Sequence, residues 1–462
     1  MNDYRQPSLR LVTAGPCLDN HSPRHEDPSF RGGNTNGAGG STEGGHDSRH
    51  EGHGSSLERL RREARRASEA TARTDGATDR LALPAAPPVV TNTVTKVLVF
   101  TPLYLPFMGG VEILVASLAP LLSRRAFRLT IATDDAFRFP ARETIDGTDV
   151  LRFPFTSAVK SGYPGAPLRA LQQLTDAIAA AAPDIIHMHA ATASGAWYVD
   201  RLLKKGLVTV PFVVTQHGVL EPNDRVNVVR DLLRRADALT GVSEAVLSSA
   251  LEFSGSDKGR GVIVNGIAEM PRNPSQPPRA DRYTLVCVGR LEPEKGFDLA
   301  IEALARIRAR GMDAGLTVIG EGIDWKSLGL LTEELGLTDY VRFTGPLGNA
   351  ATRAEIARAT AVLVPSRTRE GFSLVAAEAA MAGVPVIATR VGGLPETVRD
   401  GETGIIIPPD DADSLAVAVT ALLEDDERRE RLGRRARQRA TEIFDLSTCA
   451  ERYIALYQSL LA

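Results

Sequence analysis

Short apolar runs separated by amphipathic or alanine-rich stretches recur from residue 96 to the last residues of the chain. The first series has runs at 96–100 (KVLVF), 129–133 (LTIAT), 185–188 (IIHM), 212–215 (FVVT), 238–242 (ALTGV) and 262–264 (VIV). Segments with helical spacing lie between several of them, as at 111–122, 168–182 and 225–236. Near-continuous apolar strands alternating with helices predict a parallel sheet covered on both faces. Four prolines in 271–278 (PRNPSQPP) then interrupt the pattern and read as a linker. A second series follows, with strands at 284–288, 316–319, 341–343, 361–364, 384–388 and 404–407, and helices at 297–310, 324–335 and 373–382. The charged stretch 425–441 reads as an exposed helix and 446–461 as an amphipathic one. The expected fold is α/β: two Rossmann-like, doubly wound domains, at 93–270 and 271–445, facing across a cleft. In such sheets ligands bind beyond the carboxyl ends of the strands.

Residues 1–92 break from this pattern. They are poor in large apolar residues, and 31–53 is dominated by Gly, Ser, Thr and His. Such a segment buries too little apolar area to offset its ordering entropy, so a disordered tail is expected. Twelve arginines balance twelve carboxylates there. The stretch 55–73 reads as a solvated, partly helical segment with a thin apolar stripe, or as a partner-docking or membrane-surface helix. Five of the eight histidines fall in the tail at irregular spacing, a poor pattern for metal binding.

Over all 462 residues the net charge is −3, which argues against binding nucleic acid through bulk positive charge. The three cysteines, Cys17, Cys287 and Cys449, lie far apart, so neither a disulfide framework nor a structural zinc site is expected. No apolar run is long enough to span a bilayer, and the N-terminus lacks the apolar core of a signal peptide. The expected location is the cytoplasm, with peripheral contact at the inner membrane face left open.

The candidate chemistry lies at strand ends. There is no GxGxxG after the first strand of either series and no GxxxxGK[ST], which weighs against dinucleotide oxidoreductases and P-loop NTPases. Gly109–Gly110 immediately precede the helix at 111–122. They suit close approach of a ligand to a helix N-terminus, and equally a tight turn. Arg290 and Lys295 flank the loop after strand 284–288. That pair can grip a diphosphate, or it can be a solvated loop. In 365–388 Ser373 is a plausible N-cap, with Gly383 and Pro385 as the stop. Glu378 is the lone charge on an otherwise apolar helix and needs donors, from protein cations or ligand hydroxyls. Glu370 lies in the loop just before it.

The segment EGFSLVAAEAAMAGVPVIATRVGGLPE resembles the signature of the family-4 retaining glycosyltransferases, which share the GT-B fold. Their E-x7-E motif matches Glu370 and Glu378, their GR…KG motif Arg290 and Lys295–Gly296, and their GGVE Gly109–Glu112. The stretches 183–190, 213–218, 241–246 and 262–267 are also similar, and the resemblance covers about 95–460. It implies a hexosyltransferase-type enzyme moving a sugar from a nucleotide-diphosphate sugar, UDP- or GDP-linked, to an acceptor hydroxyl that the sequence does not identify. It implies no cofactor. By the resemblance, Arg290, Lys295 and Gly110 contact the diphosphate. Glu370 and the backbone of Gly371, Phe372, Ser373 and Leu374 face the donor sugar and phosphates, Glu378 the ribose, and His217 the reacting sugar. The final helix, 446–462, is expected to cross back to the first domain. A sugar-nucleotide epimerase of the same fold and a noncatalytic carbohydrate-binding relative are the alternatives.

His187 and His189 are expected to be structural, their HxH spacing being read as placing the rings on opposite faces of a strand. Cys287 reads as a core residue. The literal DxD at Asp411–Asp413 reads as helix capping, so metal-independent transfer is expected.

Overall fold

The computed structural model of the protein describes residues 94–107, 109–134, 139–222, 224, 226–271 and 282–462. The tail 1–92 and all but the first residue of the proline-rich 271–278 lie outside the described residues.

The first series runs β1 (Thr95–Thr101), α1 (Gly110–Ser123), β2 (Phe127–Asp134), β3 (Arg142–Ile145), β4 (Thr148–Phe153), α2 (Phe155–Lys160), α3 (Gly165–Ala181), β5 (Ile185–His189), α4 (Ala193–Lys204), β6 (Phe212–Gln216), α5 (Asn227–Arg235), β7 (Ala238–Gly241), α6 (Glu244–Ser254) and β8 (Gly259–Val262). The second runs β9 (Tyr283–Val288), α7 (Phe297–Ala309), β10 (Ala314–Ile319), α8 (Trp325–Glu334), β11 (Val341–Phe343), α9 (Asn349–Arg358), β12 (Ala361–Val364), α10 (Leu374–Ala382), β13 (Val386–Thr389), α11 (Leu394–Thr397), β14 (Gly404–Ile407), α12 (Ala412–Leu423), α13 (Asp426–Ile443) and α14 (Leu446–Leu461).

Among the described residues these strands form two sheets. One has eight strands in the order β3-β4-β2-β1-β5-β6-β7-β8, the other six in the order β11-β10-β9-β12-β13-β14. All their pairings are parallel except β3–β4. Central strands such as β6, β12 and β13 are buried at every position, because helices cover both faces and a continuous apolar run is what such a strand requires.

The β3–β4 hairpin was not predicted, nor were α4 and α6. The hairpin had a local signal. Asp146 and Gly147 both adopt positive φ, 47° and 79°, the Asp-Gly pairing of a tight hairpin turn. The strand predicted at 262–264 pairs at 259–262 instead, where Gly259 and Gly261 hid it from an apolar-run reading.

Helix α14 packs on the first sheet. Its Cys449, Tyr453, Leu456 and Tyr457 share a core with Val97, Val99, Leu114 and Leu118. The chain therefore crosses between the domains twice, and the crossings touch: Ile267 N–H donates to Phe444 O at 2.7 Å.

Candidate functional site

Each sheet has a point where strand order reverses, between β1 and β5 in the first and between β9 and β12 in the second. The crevice at such a point, beyond the carboxyl ends, is where doubly wound sheets take ligands. The predicted residues gather at these two points.

After β9 the chain turns through a 3₁₀ segment, Pro293–Lys295, closed by Gly296 at φ 68°. A Cβ on Gly296 would stand 2.2 Å from Pro365 O, so only glycine lets this turn lie against the end of β12. That contact aims Lys295 at the loop beyond β12. Its Nζ donates to Glu370 Oε2 at 2.7 Å, and Ser366 Oγ donates to the same oxygen at 3.0 Å. Arg290 points elsewhere, exposed to solvent and paired with Glu292. The two cations predicted to act together form ion pairs with different carboxylates here.

Ser373 caps α10 as its sequence position predicts, accepting from Ala376 N–H at 3.3 Å, and Gly383 closes the helix at φ 83°. The loop before the cap is unusual. Arg369 and Ser373, both non-glycine, hold φ of 54° and 65°, conformations that persist only where the surroundings impose them. Three successive carbonyls are each bound: Glu370 O by Gly393 N–H at 2.8 Å, Gly371 O by the Ser243 hydroxyl at 2.7 Å, and Phe372 O by the Thr397 hydroxyl. No group among the described residues accepts the N–H of Gly371, Phe372 or Ser373.

The first domain meets this loop directly. A Cβ on Gly371 would lie 2.1 Å from His217 O, and one on Gly110 2.8 Å from Leu374 Cδ1. The N-termini of α1 and α10 thus face each other. At α1 the N-cap is Gly109, and the Glu112 carboxylate folds back over it, so that a Cβ on Gly109 would stand 2.2 Å from Glu112 Oε2. Burial raises the Glu112 pKa, opposed by the nearby backbone N–H groups of Glu112 and Gly109.

His217, just beyond β6, is held by His189, whose Nδ1 lies 3.0 Å from His217 Nε2. The expectation that His187 and His189 point to opposite faces is wrong. Residues two apart on a strand share a face, and the two rings stand 4.1 Å apart. His187 is bonded to Tyr457 OH at 2.7 Å and Thr215 Oγ1 at 2.8 Å. Burial depresses the pKa of all three rings, His187 to about 3, so they are neutral at physiological pH.

Glu378 lies on α10, half-buried, with its pKa raised by burial to about 7 and opposed by Arg353. No group among the described residues donates a hydrogen bond to it. Arg353 itself donates to Ala268 O at 2.6 Å and ties α9 to the end of the first domain. Cys287 is a buried thiol, as read. Asp411 caps α12, accepting from Ser414 N–H at 2.8 Å and Ser414 Oγ at 2.6 Å, while Asp413 pairs with Arg306 at 2.6 Å.

Other residues without an assigned role in the sequence reading also join the domains. The Glu396 carboxylate accepts the N–H groups of Glu244 (2.7 Å) and Ala245 (2.9 Å) at the start of α6. Arg369 pairs with Glu221 at 2.9 Å and Asp224 at 3.1 Å. A carboxylate within GGLPE and a serine within GVSEAV were visible in the sequence, but their partners lie about 130–150 residues away.

Residues 271–439 match the family described as Glycosyl transferases group 1, and residues 109–266 match the Glycosyl transferase 4-like domain. A GDP-mannose-dependent alpha-(1-6)-phosphatidylinositol monomannoside mannosyltransferase of Mycobacterium tuberculosis is 30% identical over 385 residues, 77% of this chain and 96% of that protein. A glycogen synthase of the same organism is 33% identical over 292 residues, 60% of this chain and 68% of its own. The structure of Anabaena HepE in complex with UDP and glucose superposes with a TM-score of 0.65 at 22% identity, covering 79% of this chain and all of the other. With two facing parallel-sheet domains and family matches on both, the chain belongs to the group 1 glycosyltransferases, GT-B enzymes that move a sugar from a nucleotide-sugar donor to an acceptor hydroxyl.

Proposed function

We propose that the mouth of α10 is where this enzyme grips its nucleotide sugar, a UDP- or GDP-sugar. Lys295 and the free N–H groups of Gly371–Ser373 take the diphosphate, with Arg290 swinging in from solvent and Gly110 closing from the opposite domain. Glu378 accepts hydrogen bonds from the ribose. Glu370, oriented by Lys295 and Ser366, faces the donor sugar together with Phe372 and Leu374, and neutral His217 borders the reacting carbon. As the glycosidic bond to phosphate breaks, the negative charge that develops meets an ammonium group and aligned backbone dipoles. The leaving phosphate accepts the acceptor's proton, and attack on the same face retains configuration.

The observation carrying this reading is the convergence of Lys295 and the unclaimed N–H groups at one helix mouth, opposite the start of α1. The test is binding and hydrolysis of a panel of UDP- and GDP-sugars. Saturable binding of at least one is expected, and absence of binding by any of them overturns the reading. Support for the two bases comes from the UDP bound in HepE and the GDP-mannose named for the mycobacterial relative.

Peripheral membrane contact belongs to the same proposal. No described helix is long and apolar enough to cross a bilayer. Tyr163 and Leu168, however, are 73% and 58% exposed, beside Lys160 and Arg169. Cosedimentation with anionic vesicles, lost on Tyr163→Ser with Leu168→Ser, is the expected result.

A further inference from the structure

The loop that presents the free N–H groups is held from behind, and one of its holders belongs to the other domain. A peptide unit is planar and trans, so its carbonyl and its N–H point in opposite directions. Binding the carbonyls of Glu370, Gly371 and Phe372 therefore fixes the directions of the N–H groups of Gly371, Phe372 and Ser373. Two of the three holders, Gly393 N–H and the Thr397 hydroxyl, sit at the two ends of α11. The third is the hydroxyl of Ser243, at the end of β7 in the first domain.

Ser243 is 1% exposed, and its hydroxyl bonds both ways: it accepts Val246 N–H at 3.2 Å as the N-cap of α6 and donates to Gly371 O at 2.7 Å. The space around it is closed, since a Cβ on Gly393 would stand 2.7 Å from Ser243 Oγ and 2.1 Å from Gly371 O. Glu396 binds the next two N–H groups of α6, so the start of that helix is anchored to α11 beside the same loop.

We propose that Ser243 and Thr397 are positioning residues that set the phosphate-binding N–H array, and that Ser243 makes this grip conditional on contact between the domains. When the first domain is withdrawn, Gly371 O loses its holder. The Gly371–Phe372 peptide is then free to rotate away from the phosphates. The inference rests on the reading of the α10 mouth as the diphosphate site.

The test measures the affinity of the full chain for UDP and GDP by calorimetry, and for uridine and guanosine by ligand-observed NMR. The variants are Ser243→Ala, Thr397→Val and Thr397→Ser. Loss of a buried hydrogen-bond donor should weaken diphosphate binding about tenfold in Ser243→Ala and Thr397→Val. Thr397→Ser, which keeps the hydroxyl, should stay close to wild type. Nucleoside affinity should be unchanged throughout, an outcome that a general loss of structure would not produce. If the wild type binds neither UDP nor GDP, the site reading itself fails. If the wild type binds but folded Ser243→Ala and Thr397→Val bind diphosphate as tightly, the positioning inference is overturned. Equal losses for nucleoside and diphosphate overturn it as well. Thr397→Val is nearly isosteric and caps no helix, so it decides the matter even if Ser243→Ala misfolds.

Discussion

Lys295 has one carboxylate partner in the structure, Glu370, and both side chains keep some exposure to solvent. A partly exposed ion pair contributes little to stability, about 1 kcal/mol or less. One preorganised contact to a developing anion is worth about 2.7–4 kcal/mol of barrier. Lys295→Ala should therefore lower kcat by roughly 100- to 1000-fold while urea melts move little; near-normal turnover by the folded variant would remove Lys295 from the site. Glu378 makes a prediction about pH. Burial raises its pKa from the ordinary 4.5 to about 7. The folded protein thus holds a proton that the unfolded chain has released, so this group's stabilising contribution is complete below about 4.5 and is lost as pH rises to about 7. Without nucleotide, Glu378→Gln should match wild type near pH 5 and exceed its stability near pH 8 by about 1–3 kcal/mol. Urea melts at both pH values measure the difference. Glu378 stands out in the sequence as the one charge on an apolar helix, whereas Lys295 and Glu370 are marked by their places after a strand and before a helix and by the family motifs. Ser243 was not legible, because a serine before a helix is explained by capping alone, and its second bond is to a residue 128 positions later.

Among the elements, α10 and α12 begin in similar ways and differ in what their N-termini face. Asp411 satisfies the start of α12 from within, and its carboxylate is already committed to Ser414. The DxD thus needs no metal to explain it, and in the proposed site Lys295 and the α10 mouth would offer the positive potential that a leaving phosphate requires. Initial rates should survive exhaustive EDTA; abolition with rescue by magnesium or manganese would return Asp411 and Asp413 to the site. First-domain backbone lies directly against the α10 loop. Gly371→Ala places a methyl group 2.1 Å from His217 O, so either the loop or the domain contact must shift. A loss of turnover of at least about 100-fold is expected, with the melting transition largely kept, because the strain relaxes by separating the domains. Strand runs and Ser373–Gly383 capping were readable because they are local. The β3–β4 hairpin was missed because its strands, with alternating burial on an edge, lack the continuous apolar run that marked the others.

For the whole molecule, the two-domain plan followed from the repeated strand–helix alternation, but the facing of particular residues did not, since it depends on strand order and on two crossings of the chain. Helix α14 carries the second crossing. Leu456 is 1% exposed in the core it shares with β1 and α1. Leu456→Ala should cost about 2–5 kcal/mol, read as a lower urea midpoint. A larger loss of signal from Trp197, in the first domain, than from Trp325, in the second, would mark the first sheet as the part released.

That helix also sets an order of events during synthesis. The first sheet is translated by residue 262, yet the side chains that close its core, from Cys449 to Tyr457, come from the last helix of the fold. At 5–20 residues per second the ribosome needs roughly ten to forty seconds to supply them. Throughout that interval the nascent first domain presents the apolar surface of β1 and α1 to its surroundings, a substrate for chaperones that bind exposed core. A ribosome-stalled chain ending at Ile443 should be cleaved rapidly by protease within residues 94–270, and a synthetic peptide spanning 444–462, added in trans, should protect it.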